Sequence, residues 1–225
     1  MNETGKKAAG VQAANLIEDG MVVGLGTGST TAYFIQALIE KRLRIKTVAS
    51  SKRSHEIAKA GGLHVLDINE VDHIDMTVDG TDEIDPQKRL IKGGGGALVR
   101  EKILALSSSE MVVIADVSKV VTQLGKAKLP VEILPYGHLF ARKKIEHLGY
   151  SSTWRIADPT SLNQEQYVSD NGNYILDIHF PTLLKNPEEV NQIILEIPGV
   201  VDTGFFFKIA KRAIIGRNDG TTFNI

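Results

Sequence analysis

The sequence has 225 residues, 26 Lys and Arg against 27 Asp and Glu, a formal net charge of −1, and 42% apolar residues. It contains no Cys, so it has no disulfide framework, thiol nucleophile or Cys-ligated zinc site. The apolar content is too high for a disordered chain, and near-neutrality argues against a general polyanion binder such as a nucleic-acid protein.

Residues 5–18 fit a helix, with Ala8, Val11 and Ile17 near its period. The first twenty residues lack the apolar core of a signal peptide, and no run reaches the roughly 18 apolar residues of a membrane span. A soluble, cytoplasmic protein without a membrane partner is expected. MVVGL (21–25) is a short buried strand, and TAYFIQALIEKR after GTGST is a helix. Ile45 to Ala49 is a strand, and Ser51 to Ala60 a helix stopped at Gly61-Gly62. HVLDI and HIDMTVDG are strands. The Gly run at 93–96 leads into the helix ALVREKILALS, and MVVIAD (111–116) is a further strand. Apolar strands alternating with helices indicate a Rossmann-like parallel α/β sheet.

The character changes near Leu129-Pro130. VEIL reads as a strand, Tyr136 to Leu148 as a helix, and SSTWRIA as a strand. YVSDNGNYILDIHF holds a turn and then an alternating strand. PEEVNQIILEI has good N-terminal helix chemistry, and VVDTGFFF is a last strand. This β-α-β-β-α-β order is the ferredoxin-like, split βαβ pattern. The expected division is a Rossmann-like domain, 1–127 plus 206–225, with a smaller α+β domain, 128–205, as lid or oligomer interface. Phe205–Phe207 suit either its core or such an interface.

Gly makes up 21 of 225 residues, about 9% against a usual ~7%. Seven of the 21 fall in two strand-to-helix junctions, Gly24/26/28 and Gly93–96. GLGTGST opens a helix, where glycines and the helix N-terminus favour an anion and Thr27, Ser29 and Thr30 add hydroxyls. A plain turn with Ser29 as N-cap fits equally well. No Lys follows Gly28, against a Walker A loop. A dinucleotide fingerprint would need Gly at 29 or 31, which are Ser29 and Thr31.

The run Asp75 to Asp85 ends a strand, where open α/β sheets place ligands. An EF-hand starting at Asp75 would need Glu at position 86, which is Pro86. A haloacid-dehalogenase nucleophile would fall on Thr77. A solvated acidic turn explains such a run as well as a site does. Lys92 edges four consecutive glycines, costly to order unless they wrap something closely. Arg100-Glu101-Lys102 reads as an ordinary solvated triplet, except that Glu101 shares a helix face with Ala97, Leu98 and Ala105. A carboxylate on such a face suits a general base with a raised pKa. Lys119, after the strand MVVIA, suits an anion contact or a turn cap. The six His show no metal-ligand spacing, so no metal is expected.

Taken in order, Gly24–Thr30, Asp79-Gly-Thr-Asp82-Glu-Ile84, Lys92–Ala97 with Arg100-Glu101-Lys102, and Ala115–Lys119 resemble the ribose-5-phosphate isomerase A family. Lys6-Lys7, Gly199-Val-Val and Gly204-Phe-Phe also fit, and Thr81 is a mild departure. The resemblance implies interconversion of ribose 5-phosphate and ribulose 5-phosphate through a cis-enediolate, in the pentose phosphate pathway, without metal or organic cofactor. It implies Glu101 as the base, Asp79 and Asp82 handling hydroxyl protons and ring opening, and Lys92 stabilising the enediolate. Substrate contacts would come from Lys6, Thr27, Gly28, Ser29, Thr30, Asp79, Gly80, Thr81, Asp82, Lys92, Gly93, Gly94, Gly95 and Lys119. A dimer or tetramer is expected on the same ground. An amino-sugar phosphate deaminase and a non-catalytic sugar-phosphate sensor are the competing readings.

Overall fold

The computed structural model describes residues 3–158, 160 and 165–225. The chain runs α1 (Glu3–Ala14), β1 (Val22–Leu25), α2 (Ser29–Lys41), β2 (Lys46–Ala49), α3 (Lys52–Ala60), β3 (His64–Leu66), β4 (Ile74–Gly80), β5 (Glu83–Ile84), β6 (Leu90–Ile91), α4 (Leu98–Leu106) and β7 (Ser108–Asp116). It continues with β8 (Leu129–Ile133), α5 (His138–His147), β9 (Ser151–Trp154), β10 (Tyr174–His179), α6 (Pro187–Leu195), β11 (Val200–Thr203), β12 (Phe205–Phe206), β13 (Ala210–Gly216) and β14 (Thr222–Asn224).

The main sheet has the order β14-β13-β7-β4-β1-β2-β3. All its pairings are parallel except that of the edge strand β14 with β13. Both faces are covered, and the side-chain alternation of a strand divides each buried strand between two cores. On β7, Val112 and Ile114 join the core under α1 and α2, with Ala9, Ala13, Phe34 and Leu38. Met111, Val113 and Ala115 face the other way, toward Ala105 of α4, Ile84, Leu90 and Phe206. This double burial explains why the strand reads as an uninterrupted apolar run.

The strand order reverses between β1 and β4. From β1 the chain winds outward to β2 and β3, then returns to β4 and moves the other way to β7 and β13. Loops leaving the C-terminal ends of β1 and β4 therefore part from one another and leave a crevice, the usual ligand position in open α/β sheets.

A second sheet has the order β11-β8-β10-β9 and is antiparallel in every pairing. With α5 and α6 it has the β-α-β-β-α-β order expected from the sequence. Ala141, Ile145 and Ile194 from the helices pack on Val131, Ile133, Leu176 and Ile178.

Several boundaries differ from the sequence reading. The first helix ends at Ala14 rather than 18, because Leu16 and Ile17 donate to Ala13 and Ala14 in tight turns. The strand HVLDI stops at Leu66, since Asp67 caps a short 3₁₀ turn over Ile68–Glu70. The final strand VVDTGFFF is two strands in two sheets. Its break is Gly204, whose carbonyl accepts from Lys92 N–H at 2.8 Å and whose N–H donates to Pro130 at 2.7 Å. Phe205 and Phe206 then pair with Ile91 and Leu90 in a small sheet, β12-β6-β5, that the sequence did not signal. Both rings are core, at 1% and 0% exposure.

Helix α1 crosses α2 at close range because Gly10 has no side chain. A Cβ there would lie 2.8 Å from the Phe34 backbone nitrogen. One turn earlier on α1, Lys6 donates to Ser29 Oγ at 2.9 Å. Gly10→Val is therefore expected to lose about 1–3 kcal/mol through overpacking, read as a lower denaturant midpoint with an unchanged m-value.

Candidate active site

The loop after β1 is shaped by what lies beneath it. A Cβ on Gly26 would overlap the Asp79 carboxylate, so glycine lets this loop rest on an acidic side chain. Asp79 Oδ1 accepts from Thr27 N–H at 2.9 Å and Gly80 N–H at 2.7 Å. Two loops from neighbouring strands are thereby tied to one carboxylate. The Thr27 hydroxyl bonds Ser50 and Ser51, each at 2.8 Å. Those serines engage the hydroxyl, while Thr27 itself lines the pocket.

Helix α2 starts at Ser29 with Gly28 as its N-cap and no side-chain cap. Its first amides and its positive dipole end open onto the crevice. Lys6 reaches this end through Ser29. Lys119 follows from β7 in a 3₁₀ turn, capped by Asp116, which accepts from Ser118 N–H at 3.0 Å.

Behind the glycine run lies a buried triad. Lys92 is 2% exposed, Asp79 0% and Glu101 2%. The Lys92 ammonium lies 2.8 Å from Asp79 Oδ2 and 3.5 Å from Glu101 Oε2, and donates to the Gly80 carbonyl at 2.5 Å. Charge is the larger part of what couples these two carboxylates to Lys92, and hydrogen bonding adds to it.

Burial pushes the Glu101 carboxyl up, and the Asp79 negative charge adds to this. Lys92 opposes both, and the result is a value of about 8. Burial alone would lower the Lys92 pKa. Asp79 and Glu101 together outweigh it and hold the ammonium above its ordinary value. Lys92 is therefore charged at neutral pH, and Glu101 holds a proton that it exchanges near neutrality.

The glycine run closes over the triad. Gly94 N–H donates to Asp82 Oδ2 at 2.8 Å, which fixes the second aspartate of Asp79-Gly-Thr-Asp82. Gly93 has φ +93°, a left-handed conformation that favours glycine.

One pocket collects Lys6, Thr27, Gly28, Ser29, Thr30, Gly80, Thr81, Asp82, Lys92, Gly93, Gly94, Gly95, Glu101 and Lys119. Every residue that the resemblance assigns to catalysis or substrate contact lines it except Asp79, which lies beneath the wall. Two surface readings are corrected. Arg100-Glu101-Lys102 is not a solvated triplet: Glu101 is buried, and Lys102 is held by Asp202 at 2.6 Å. Glu83 and Asp85 are not a solvated turn either. Glu83 accepts from the Gly125 and Ala127 amides, and Asp85 pairs with Arg89. Arg155 and Tyr167, which touch the Gly93–Gly95 carbonyls, carried no sequence signal. They follow β9 and precede β10, far along the chain from every motif. Among the described residues, no helix is long and apolar enough to cross a membrane.

Comparison with known proteins points one way. A protein from Protochlamydia amoebophila named ribose-5-phosphate isomerase A is 44% identical over 220 residues, covering 96% of this chain and 93% of that one. One of the same name from Bacillus mycoides is 42% identical over 218 residues, 96% of each. The solved ribose 5-phosphate isomerase A of Methanocaldococcus jannaschii superposes with a TM-score of 0.92 at 32% identity, over 100% of this chain and 99% of that one. A solved D-ribose-5-phosphate isomerase in complex with phospho-erythronic acid gives 0.90 at 35% identity, over 98% and 96%. The chain is an α/β isomerase. It belongs to the ribose 5-phosphate isomerase A (phosphoriboisomerase A) family, whose model matches residues 46–220.

The raised Glu101 pKa has a consequence for stability. The folded state holds this proton up to about pH 8, whereas an unfolded Glu loses it near 4.5. The group's contribution is thus full below 4.5 and is lost as pH rises through 8. Glu101→Gln, which cannot ionise, is expected to gain in Tm relative to wild type between pH 5 and 8 and to level off above. A constant Tm difference across that range would contradict the shift.

Proposed function

We propose that this pocket interconverts D-ribose 5-phosphate and D-ribulose 5-phosphate by proton transfer between C1 and C2 through a cis-enediolate. The observation that carries the reading is the buried Asp79–Lys92–Glu101 triad, in which one carboxyl titrates near neutrality beside a fixed cation.

Ionised Glu101 takes the proton from C2 of the open-chain aldose and returns it to C1. A base with a pKa near the working pH accepts and releases with comparable ease. As the C2–H bond breaks, negative charge spreads over the C1 and C2 oxygens, and the Lys92 ammonium stabilises it at short range in a water-poor site. When C1–H forms, the C2 hydroxyl becomes the carbonyl and the C1 oxygen the hydroxyl. Asp82, on the pocket wall, moves the hydroxyl proton and assists ring opening. Asp79, below the wall, acts through Lys92 and Glu101 rather than on the substrate.

The phosphate belongs at the opposite end, on the open N-terminus of α2, with Ser29, Thr30, Lys6 and Lys119. Unspent helix amides and two lysines around one opening support this placement. Gly28, Gly80, Thr81 and Gly93–Gly95 let backbone approach the sugar between the two ends. The same reading makes the protein a cofactor-free, cytoplasmic homo-oligomer in the pentose phosphate pathway. Its sheet of β8–β11 would be a distinct module, 128–205, serving as lid or subunit interface.

A coupled assay for ribulose 5-phosphate tests the assignment. Glu101→Gln is expected to lower kcat by about 10²–10⁴-fold with KM little changed, and near-normal kcat would overturn it. Phospho-erythronic acid carries a carboxylate where the enediolate has its two oxygens. It is expected to inhibit competitively. Activity is expected to survive chelation by EDTA, and loss restored by a divalent ion would contradict the cofactor-free chemistry.

A further inference from the structure

Arg155 lies just past β9, outside every motif, yet its guanidinium ends at the active-site loop. Nε and Nη2 donate to the two oxygens of Asp177 on β10, at 3.2 and 2.5 Å. The remaining nitrogen, Nη1, donates to the Gly93 carbonyl at 2.9 Å and the Gly94 carbonyl at 3.1 Å. The side chain is 11% exposed, and its planar fork is filled on both edges.

These two carbonyls decide where the next amides point. In a trans peptide unit C=O and N–H are directed oppositely, and the described backbone has no cis bond. Holding the Gly93 carbonyl turns the Gly94 N–H away from Arg155, and it donates to Asp82 Oδ2 at 2.8 Å. Holding the Gly94 carbonyl turns the Gly95 N–H the same way. That amide donates to no group among the described residues, and Gly95 belongs to the pocket wall. A cation on a carbonyl also polarises the peptide and strengthens its N–H as a donor. A run of four glycines has little conformational preference of its own; within it the Gly96 N–H donates to the Gly93 carbonyl at 2.9 Å, and Arg155 adds a second, charged donor to that carbonyl and the side-chain donor to the Gly94 carbonyl.

We propose that Arg155 is a positioning residue for the isomerisation. By gripping the Gly93 and Gly94 carbonyls it aims the Gly95 amide at the oxygen that becomes negative in the enediolate and steadies Asp82 through Gly94. The proposal rests on the isomerase reading above. It also gives the β8–β11 sheet a role in the chemistry, since the grip starts from its strands.

The test uses Arg155→Met and Arg155→Lys beside wild type. Removing Arg155 does not strand Asp177, because Lys128 remains 2.6 Å from Asp177 Oδ2. With folding checked by circular dichroism and Tm, Arg155→Met is expected to lose about 10–100-fold in kcat. KM should stay within about threefold, the loss being confined to a donor that acts in the transition state. The pH midpoint of kcat should be unchanged, because the triad is untouched, and Arg155→Lys should recover part of the loss. A folded Arg155→Met with wild-type kcat, a change in KM alone, or a displaced pH midpoint would overturn the proposal. If Arg155→Met does not fold, Arg155→Lys decides: a kcat reduced at unchanged KM supports the role, and wild-type kcat overturns it. A wild type that forms no ribulose 5-phosphate would overturn the isomerase reading itself, and the role of Arg155 with it.

Discussion

Taking a lysine ammonium out of water costs several kcal/mol unless anions and acceptors surround it, and Lys92 is 2% exposed. Its surroundings are drawn from three parts of the chain. Asp79 and the Gly80 carbonyl come from the end of β4, and Glu101 from the first turn of α4. Its own backbone N–H is fixed by Gly204, where the chain passes from one sheet to another. Breaking one member of a buried pair of this kind typically costs about 3–5 kcal/mol. The same contact that assembles the site therefore helps to hold the chain's distant parts together.

The topology explains why these parts meet. The strand order reverses at β1 and β4, so their loops part and leave room for a ligand. Asp79 stitches the two loops together from below, and Gly26 lets them rest on it. The small sheet β12-β6-β5 then leads directly into Lys92 and the glycine run, which line the pocket. Electrostatics follow from this packing. One anion, Asp79, acts on two groups: it keeps Lys92 charged and, with burial, it raises the proton affinity of Glu101.

Much of this was legible in the sequence, for identifiable reasons. Short apolar strands followed by Gly-rich turns and helices mark a parallel sheet, and the motifs fall at strand ends, where ligands bind. The pocket residues other than Lys6 sit in or beside such a motif, whereas Lys6 was reached only through the family resemblance. Glu101 needed more than its neighbours, since Arg100 and Lys102 make it look solvated. Only its helix face, shared with Ala97, Leu98 and Ala105, hinted at burial. Three features were not legible as structure. Strands of two residues, as in β5, β6 and β12, carry no measurable periodicity. Gly204 looks like one more residue of a strand until Lys92 and Pro130 claim its backbone. Arg155 and Tyr167 reach the glycine loop only through tertiary packing, more than sixty residues along the chain.

The central claim is that burial and Asp79 hold the proton of Glu101 to unusually high pH while Lys92 stays charged. The most direct measurement is a carbon-13 NMR titration of the Glu101 carboxyl carbon in the unliganded protein, assigned by its loss in Glu101→Gln. The predicted midpoint is about 8. A midpoint near 4.5, the ordinary value for Glu, would contradict the account.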